Sequence, residues 1–135
     1  MAMLALGLAC PAAFADERVA LVIGNGDYKT ERLDNPLNDA NDIAAALRQA
    51  GFKVIVRTNA NTRELRQAVR EFGTELRRAD VGLFYFAGHG MQVDGRNYMV
   101  PVDAKINDEA DLPFELVAMD IVLQRLAHHR ITNVV

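Results

Sequence analysis

The chain has 135 residues, half of them hydrophobic and 24% charged, with a formal net charge of −3. That length holds at most one domain, and that apolar fraction is enough to fill a core. Basic and acidic residues are interspersed, with neither a basic stripe nor an acidic tail, so nucleic acid is not expected as a partner.

Residues 1–15, MAMLALGLACPAAFA, are apolar and rich in alanine. Ala13-Phe14-Ala15 before Asp16 has the small-x-small form of a signal-peptidase site. A secretory leader is expected, with residues 16–135 as the folded domain in a secreted or periplasmic protein. The run lacks a positive n-region, so the leader is expected to extend further upstream. It is too short to span a bilayer, and no integral membrane span is expected after cleavage. Cys10 after Leu8-Ala9 hints at a lipoprotein signal, although Gly7 stands where a larger apolar residue is preferred. Past Ala15 the chain has no cysteine, and it has no serine anywhere. The two commonest side-chain nucleophiles are therefore missing from the mature segment, together with disulfides and thiolate metal sites.

Arg18 to Ile23 is a Val/Leu/Ile-rich run and predicts a buried strand ending at Gly24-Asn25-Gly26. A dinucleotide-binding loop would need a third glycine three residues later and a helix opening there; Lys29 stands in that place, in a polar loop. Asn35-Pro36 predicts a helix start, with the asparagine as N-cap and proline at the first helical position. Ala40, Ile43, Ala44 and Leu47 line one face of that helix, and Gly51 closes it. Phe52 to Thr58 predicts a second strand. Asn61 with Glu64 three residues on forms a capping-box variant, and Leu65, Val69, Phe72 and Leu76 line a second helix whose other face is charged and solvated.

Val81 to Ala87 is seven uncharged residues with three consecutive aromatics, the pattern of a strand covered on both faces. Directly after it, His89 lies between Gly88 and Gly90. Reactive groups in parallel sheets gather beyond the carboxyl ends of strands, and flanking glycines let an extended substrate approach closely. An imidazole there can exchange protons near neutral pH, or simply fill a hydrogen bond. Asp94-Gly95 predicts a tight hairpin turn, and Pro101 stops its second arm. The acidic loop from Asp103 to Asp111 admits calcium as a possible ligand, but its spacing is not that of an EF-hand. Val117 to His128 predicts a third helix with Met119, Val122, Leu123 and Leu126 inward, and His128-His129 favour its dipole. Ile131 to Val135 starts a further apolar strand.

The succession of strands and helices predicts an α/β three-layer sandwich with a mostly parallel sheet. Because the sequence ends inside an apolar β-branched run, the domain is expected to be C-terminally incomplete. Its unfinished sheet edge is then expected to favour self-association.

Four segments in order, Arg18-Val19-Ala20-Leu21-Val22-Ile23-Gly24-Asn25, Leu33-Asp34-Asn35-Pro36-Leu37-Asn38-Asp39-Ala40, Ala87-Gly88-His89-Gly90 and Tyr98-Met99-Val100-Pro101-Val102-Asp103, resemble the caspase-like domain of peptidase family C14. The resemblance is strongest to its bacterial metacaspase branch and runs from about Arg18 to Val135. It implies a caspase-like fold and a cysteine-type endopeptidase acting on peptide or protein substrates. It places the catalytic histidine on His89 and half of the oxyanion hole on the Gly90 N–H. Asp39 falls where metacaspases bind an arginine or lysine side chain before the cut bond. Some metacaspases use calcium; no other cofactor or metal is implied. The family's cysteine follows the fourth strand, past Val135, so this chain is expected to be an N-terminal portion without peptidase activity of its own. The alternative is a caspase-like pseudoenzyme that binds peptides or proteins without cutting. A flavodoxin-like ligand-binding domain is disfavoured by the absence of a phosphate loop.

Overall fold

The structure, a computed structural model, describes residues 16–128 and 132–134. The expected leader, His129 and the ends of the last apolar run lie outside the described residues. Four parallel strands form the main sheet: β1 (Arg18–Gly24), β2 (Phe52–Thr58), β3 (Val81–Ala87) and β7 (Thr132–Val134), in the order β2-β1-β3-β7. Crossover helices α1 (Pro36–Gln49) and α2 (Thr62–Leu76) connect the first three. The sequence makes β1 the central strand by giving it no polar side chain between Val19 and Ile23, and all five of those residues are at most 3% exposed.

Side chains alternate across a strand, so β1 serves two cores. Val19, Leu21 and Ile23 face a cluster built with Leu65, Phe72 and Leu76 of α2 and with Val122 and Leu126 of α4 (Asp120–His128). Val22 faces the other way, against Ala40 and Ala44 of α1. The result is the expected three-layer α/β sandwich: α1 on one face of a parallel sheet, α2 and α4 on the other.

Local signals explain most boundaries. Asn61 accepts from the Glu64 backbone N–H at 2.9 Å while Glu64 accepts from the Asn61 N–H at 2.9 Å, a complete capping box. Gly51 takes φ of 85° just past α1, the left-handed conformation expected after a helix end. The first helix start differs from expectation. Pro36 is the first helical residue, but the Asn35 side chain makes no cap hydrogen bond, because the Asn35 backbone is itself helical rather than extended.

A second, three-stranded antiparallel sheet stands beyond β3, in the order β4 (Gly90–Val93), β5 (Arg96–Met99), β6 (Val117–Ala118). Asp94 and Gly95 join β4 to β5 with φ of 49° and 76°, the two left-handed residues of a tight hairpin turn. The third predicted helix is corrected here. Val117 and Ala118 are strand residues paired with Met99 and Tyr98, and helix α4 starts only at Asp120. Leu123, expected inward, is 37% exposed, whereas Val122 and Leu126 are buried as expected.

The acidic loop folds into a 3-10 turn (Glu109–Asp111) and a short helix α3 (Leu112–Glu115). Its carboxylates cap backbone N–H groups: Asp103 accepts from Thr62, Asp108 from Ala110, Asp111 from Asn107, and Glu115 from Lys105. Among the described residues no three His, Cys, Asp or Glu side chains converge as a metal cluster, and no helix is long and apolar enough to cross a membrane.

Candidate active site

The parallel register sets Gly24 level with Ala87, so the chain leaves β1 and β3 at the same carboxyl edge. Two short loops, 25–31 and 88–90, therefore meet. Asn25 donates its backbone N–H to the Ala87 carbonyl at 2.8 Å. Its side chain is fully buried and reaches a third segment, accepting from the Ala60 N–H at 2.8 Å and donating to the Ala60 carbonyl at 3.2 Å. A buried amide satisfied on both its oxygen and its nitrogen fixes the loop in one arrangement.

Tyr28 then carries that arrangement to the histidine. Its hydroxyl accepts from the His89 backbone N–H at 3.0 Å and donates to the Val100 carbonyl at 2.9 Å. The two rings lie with centroids 4.4 Å apart and tilted by 54°. Burial pushes the Tyr28 phenol above its ordinary value of 10.0, opposed in part by the His89 backbone and Asn25 side-chain hydrogen bonds. The phenol therefore stays a neutral donor. Gly88 is required by this packing, since a Cβ there would stand 2.7 Å from the Tyr28 hydroxyl and 2.9 Å from Phe86.

The His89 ring opens onto a cleft of about 530 Å³ that it shares with Gly90, Met91, Lys105 and Ile106. Nε2 lies 2.7 Å from the Glu31 main-chain oxygen. A carbonyl oxygen only accepts, so Nε2 carries the hydrogen, and in the neutral ring Nδ1 holds the lone pair. The Glu31 carboxylate is 4.0 Å from Nε2 and its side chain is 82% exposed, so the carbonyl is the orienting partner.

Gly90 begins β4 directly after His89, and the hairpin fixes where its N–H points. Val93 and Arg96 flank a two-residue turn and form its closing hydrogen-bonded pair; along an antiparallel ladder such pairs alternate with non-bonded ones. Met91 and Tyr98 are then bonded, while Gly90 and Gln92 turn their N–H and C=O groups to the outer edge of β4. The far side agrees: Asn97, opposite Gln92, accepts from the Met119 N–H beyond β5.

His89 and Gly90 are thus brought together in one cleft. Asp39 is not among the residues lining it; it is exposed in the first turn of α1, where its N–H donates to the Asn35 carbonyl at 3.0 Å. Asn25, Tyr28 and the Glu31 carbonyl are positioning groups that the sequence did not single out. The available signal was the Gly24-Asn25-Gly26 loop at the carboxyl end of a buried strand, which is where a β3-adjacent loop must sit.

Comparison with known proteins identifies the family. Human "Mucosa-associated lymphoid tissue lymphoma translocation protein 1" is 43% identical over 91 residues, 67% of this chain and 11% of that protein. Its Mus musculus homolog is 42% identical over 91 residues with the same coverage. The chain thus spans about a tenth of the length of these curated relatives. The caspase domain family, peptidase C14, matches residues 17–132. With that match over most of its length, the chain belongs to the caspase domain family.

Proposed function

We propose that this chain supplies the histidine half of a cysteine endopeptidase site of the metacaspase type, with the thiol provided by polypeptide that continues from β7. The observation that carries this reading is the donor state of His89. With Nε2–H engaged by the Glu31 carbonyl, Nδ1 is the free base that a thiol requires. The β3–β7 register supports the placement of the thiol. Leu83 pairs with Val134, and four residues on Ala87 ends β3, so a chain extending β7 in register arrives beside His89.

The chemistry follows from those groups. Nδ1 takes the thiol proton and the thiolate attacks the scissile carbonyl carbon. The oxyanion that forms accepts a hydrogen bond from the outward Gly90 N–H. As the intermediate collapses, the C–N bond breaks and the leaving amine takes the proton from His89. Water, losing its proton to the same nitrogen, then releases the acyl group and regenerates the thiol. Side chains and backbone suffice, so the proposal includes no resident cofactor. In this reading Asp39 contributes to recognition of an arginine or lysine side chain before the cut bond, and the protein is exported. The edge of β7 that pairs with no strand among the described residues is proposed as a site of self-association.

Residues 16–135 contain no cysteine or serine, which favours a second reading: a caspase-like domain that binds peptides without cutting them. Cleavage of an Arg- or Lys-terminated fluorogenic peptide separates the two. The 135-residue chain is expected to be inactive, and the chain extended through its downstream coding sequence is expected to cleave unless His89→Ala is introduced. Turnover by the 135-residue chain that depends on His89 would overturn the proposal. An extended protein that binds the peptide without cleaving it would establish the second reading.

A further inference from the structure

Beside the His89 cleft lies a second one of about 520 Å³, and the two share Met91 and Ile106. The second is lined by four consecutive residues, Met91, Gln92, Val93 and Asp94, with Ile106, Asp108, Glu109 and Leu112 opposite. Side chains of a strand alternate between its two faces, so four consecutive lining residues mark the edge of β4 rather than one face. Together the clefts form a groove that starts at His89 and follows the unpaired edge of β4 to the hairpin turn, with the loop from Ala104 to Leu112 as its far wall.

That edge is complementary to an extended backbone. Gly90 and Gln92 direct N–H and C=O groups into it, spaced as one strand presents them to another. Met91 and Ile106, 36% and 38% exposed, offer apolar cover midway. Charge changes along the length: two lysines, Lys29 and Lys105, outnumber the single acid Glu31 at the His89 end, whereas Asp94, Asp108 and Glu109 line the far end with no basic residue among them. At the far end Asp108 is engaged in capping Ala110, whereas among the described residues no hydrogen bond engages the Asp94 or Glu109 carboxylate.

From this we propose that β4 is the docking edge for the polypeptide substrate, which adds to it as an extended strand and places a basic side chain at the Asp94–Glu109 end. At about 3.3 Å per residue, the distance along β4 from Gly90 to Asp94 corresponds to about four substrate residues. The selected basic residue is therefore about four positions from the carbonyl held at Gly90. The inference rests on the peptidase reading of His89 and Gly90 for the position of that carbonyl, but docking itself needs no thiol.

Binding tests it on the 135-residue chain. Two fluorescein-labelled Val/Thr-rich peptides, each with one central arginine, carry either lysine or glutamate four positions to both sides of it. Fluorescence anisotropy is expected to show the lysine peptide binding about fivefold more tightly, the scale of two exposed charge pairs. The preference is expected to collapse to about unity in Asp94→Asn/Glu109→Gln, a change that keeps the turn conformation because asparagine tolerates left-handed φ. Gln92→Pro removes one outward N–H at an edge position where proline is tolerated, and is expected to weaken both peptides alike. Equal affinity for the two peptides, or a preference that survives the double substitution, would overturn the inference. Peptide docking without His89-dependent cleavage in the extended protein would instead retire the peptidase reading and leave the groove standing. His89-dependent cleavage with no lysine preference would do the reverse.

Discussion

Tyr28 holds His89 in two ways at once. Its hydroxyl accepts the His89 N–H at 3.0 Å, and its ring lies 4.4 Å from the imidazole. The same hydroxyl donates to Val100, so one oxygen joins the loop after β1, the loop after β3 and the segment after β5. Tyr28→Phe keeps the ring and removes only that junction. Loss of about 1–3 kcal/mol is expected, because the partly buried His89 N–H is left unpaired and the Val100 carbonyl keeps only the longer 3.5 Å bond from Asn25. Urea denaturation measures it, and an unchanged midpoint would show that water replaces the hydroxyl without loss.

The raised Tyr28 phenol also predicts an alkaline limit. Burial holds the folded-state value above the ordinary 10.0, so near and above that pH the folded chain binds more protons than the unfolded chain. Stability associated with Tyr28 is complete below pH 10 and is lost as pH rises through the folded value. Thermal melts of the protein and of Tyr28→Phe between pH 8 and about 11.5 should converge at the alkaline end. A constant gap between the two curves would contradict the assignment.

Gly88→Ala tests the packing beneath the histidine. The added Cβ meets the Tyr28 hydroxyl at 2.7 Å, the Phe86 ring at 2.9 Å and the Asn25 Cβ at 3.2 Å. None of these is the free end of a flexible chain, so the loop must shift, at about 1–3 kcal/mol. Gly90→Ala, whose Cβ would find only the Tyr98 carbonyl at 3.6 Å, is expected to change the melting temperature little. Equal destabilisation by both would mean that backbone freedom, and not space, selects glycine at these positions.

The main sheet was legible because Val19 to Ile23 and Val81 to Ala87 are unbroken apolar runs and β2 carries Val54-Ile55-Val56 at its centre, and α2 because Asn61 and Glu64 cap it locally. Asp94-Gly95 announced the hairpin by the same local chemistry. Val117-Ala118 was not legible: two apolar residues before an amphipathic helix extend its periodicity, and only pairing with Tyr98 and Met99 makes them a strand. At the site, His89 stood out because it follows a buried strand and lies between glycines. Tyr28 did not, since its bond to His89 crosses 61 positions of sequence and no periodic pattern marks a loop residue. Asp39 was named through resemblance alone, and its exposed position in the first turn of α1 equally fits a carboxylate favoured by the helix dipole.

The two helix starts give a paired prediction. Asn61→Ala removes a side chain that accepts from the Glu64 N–H at 2.9 Å and should cost about 1 kcal/mol. Asn35→Ala removes a side chain that caps nothing and should cost no more than a few tenths of that. Denaturant midpoints of the two variants distinguish them. A larger loss at Asn35 would show that its side chain caps α1 in solution.

Asn25 is the strictest case, because its amide is fully buried and bonded through both ends. Asn25→Asp preserves shape and the bond accepted from the Ala60 N–H, but it sets a carboxylate oxygen where Nδ2 now stands 3.2 Å from the Ala60 carbonyl and 3.5 Å from that of Val100. Two acceptors would then face a buried charge, and a loss of about 3–5 kcal/mol is expected at neutral pH. Acidification protonates the new carboxyl and restores a donor, so the variant should regain part of its stability as pH falls from 7 to 5. Unfolding curves of Asn25→Asp and Asn25→Ala across that range check it, since the alanine variant has no proton to gain. Parallel curves would show that the Asn25 nitrogen does not hold the loop after β1 against the segment after β2.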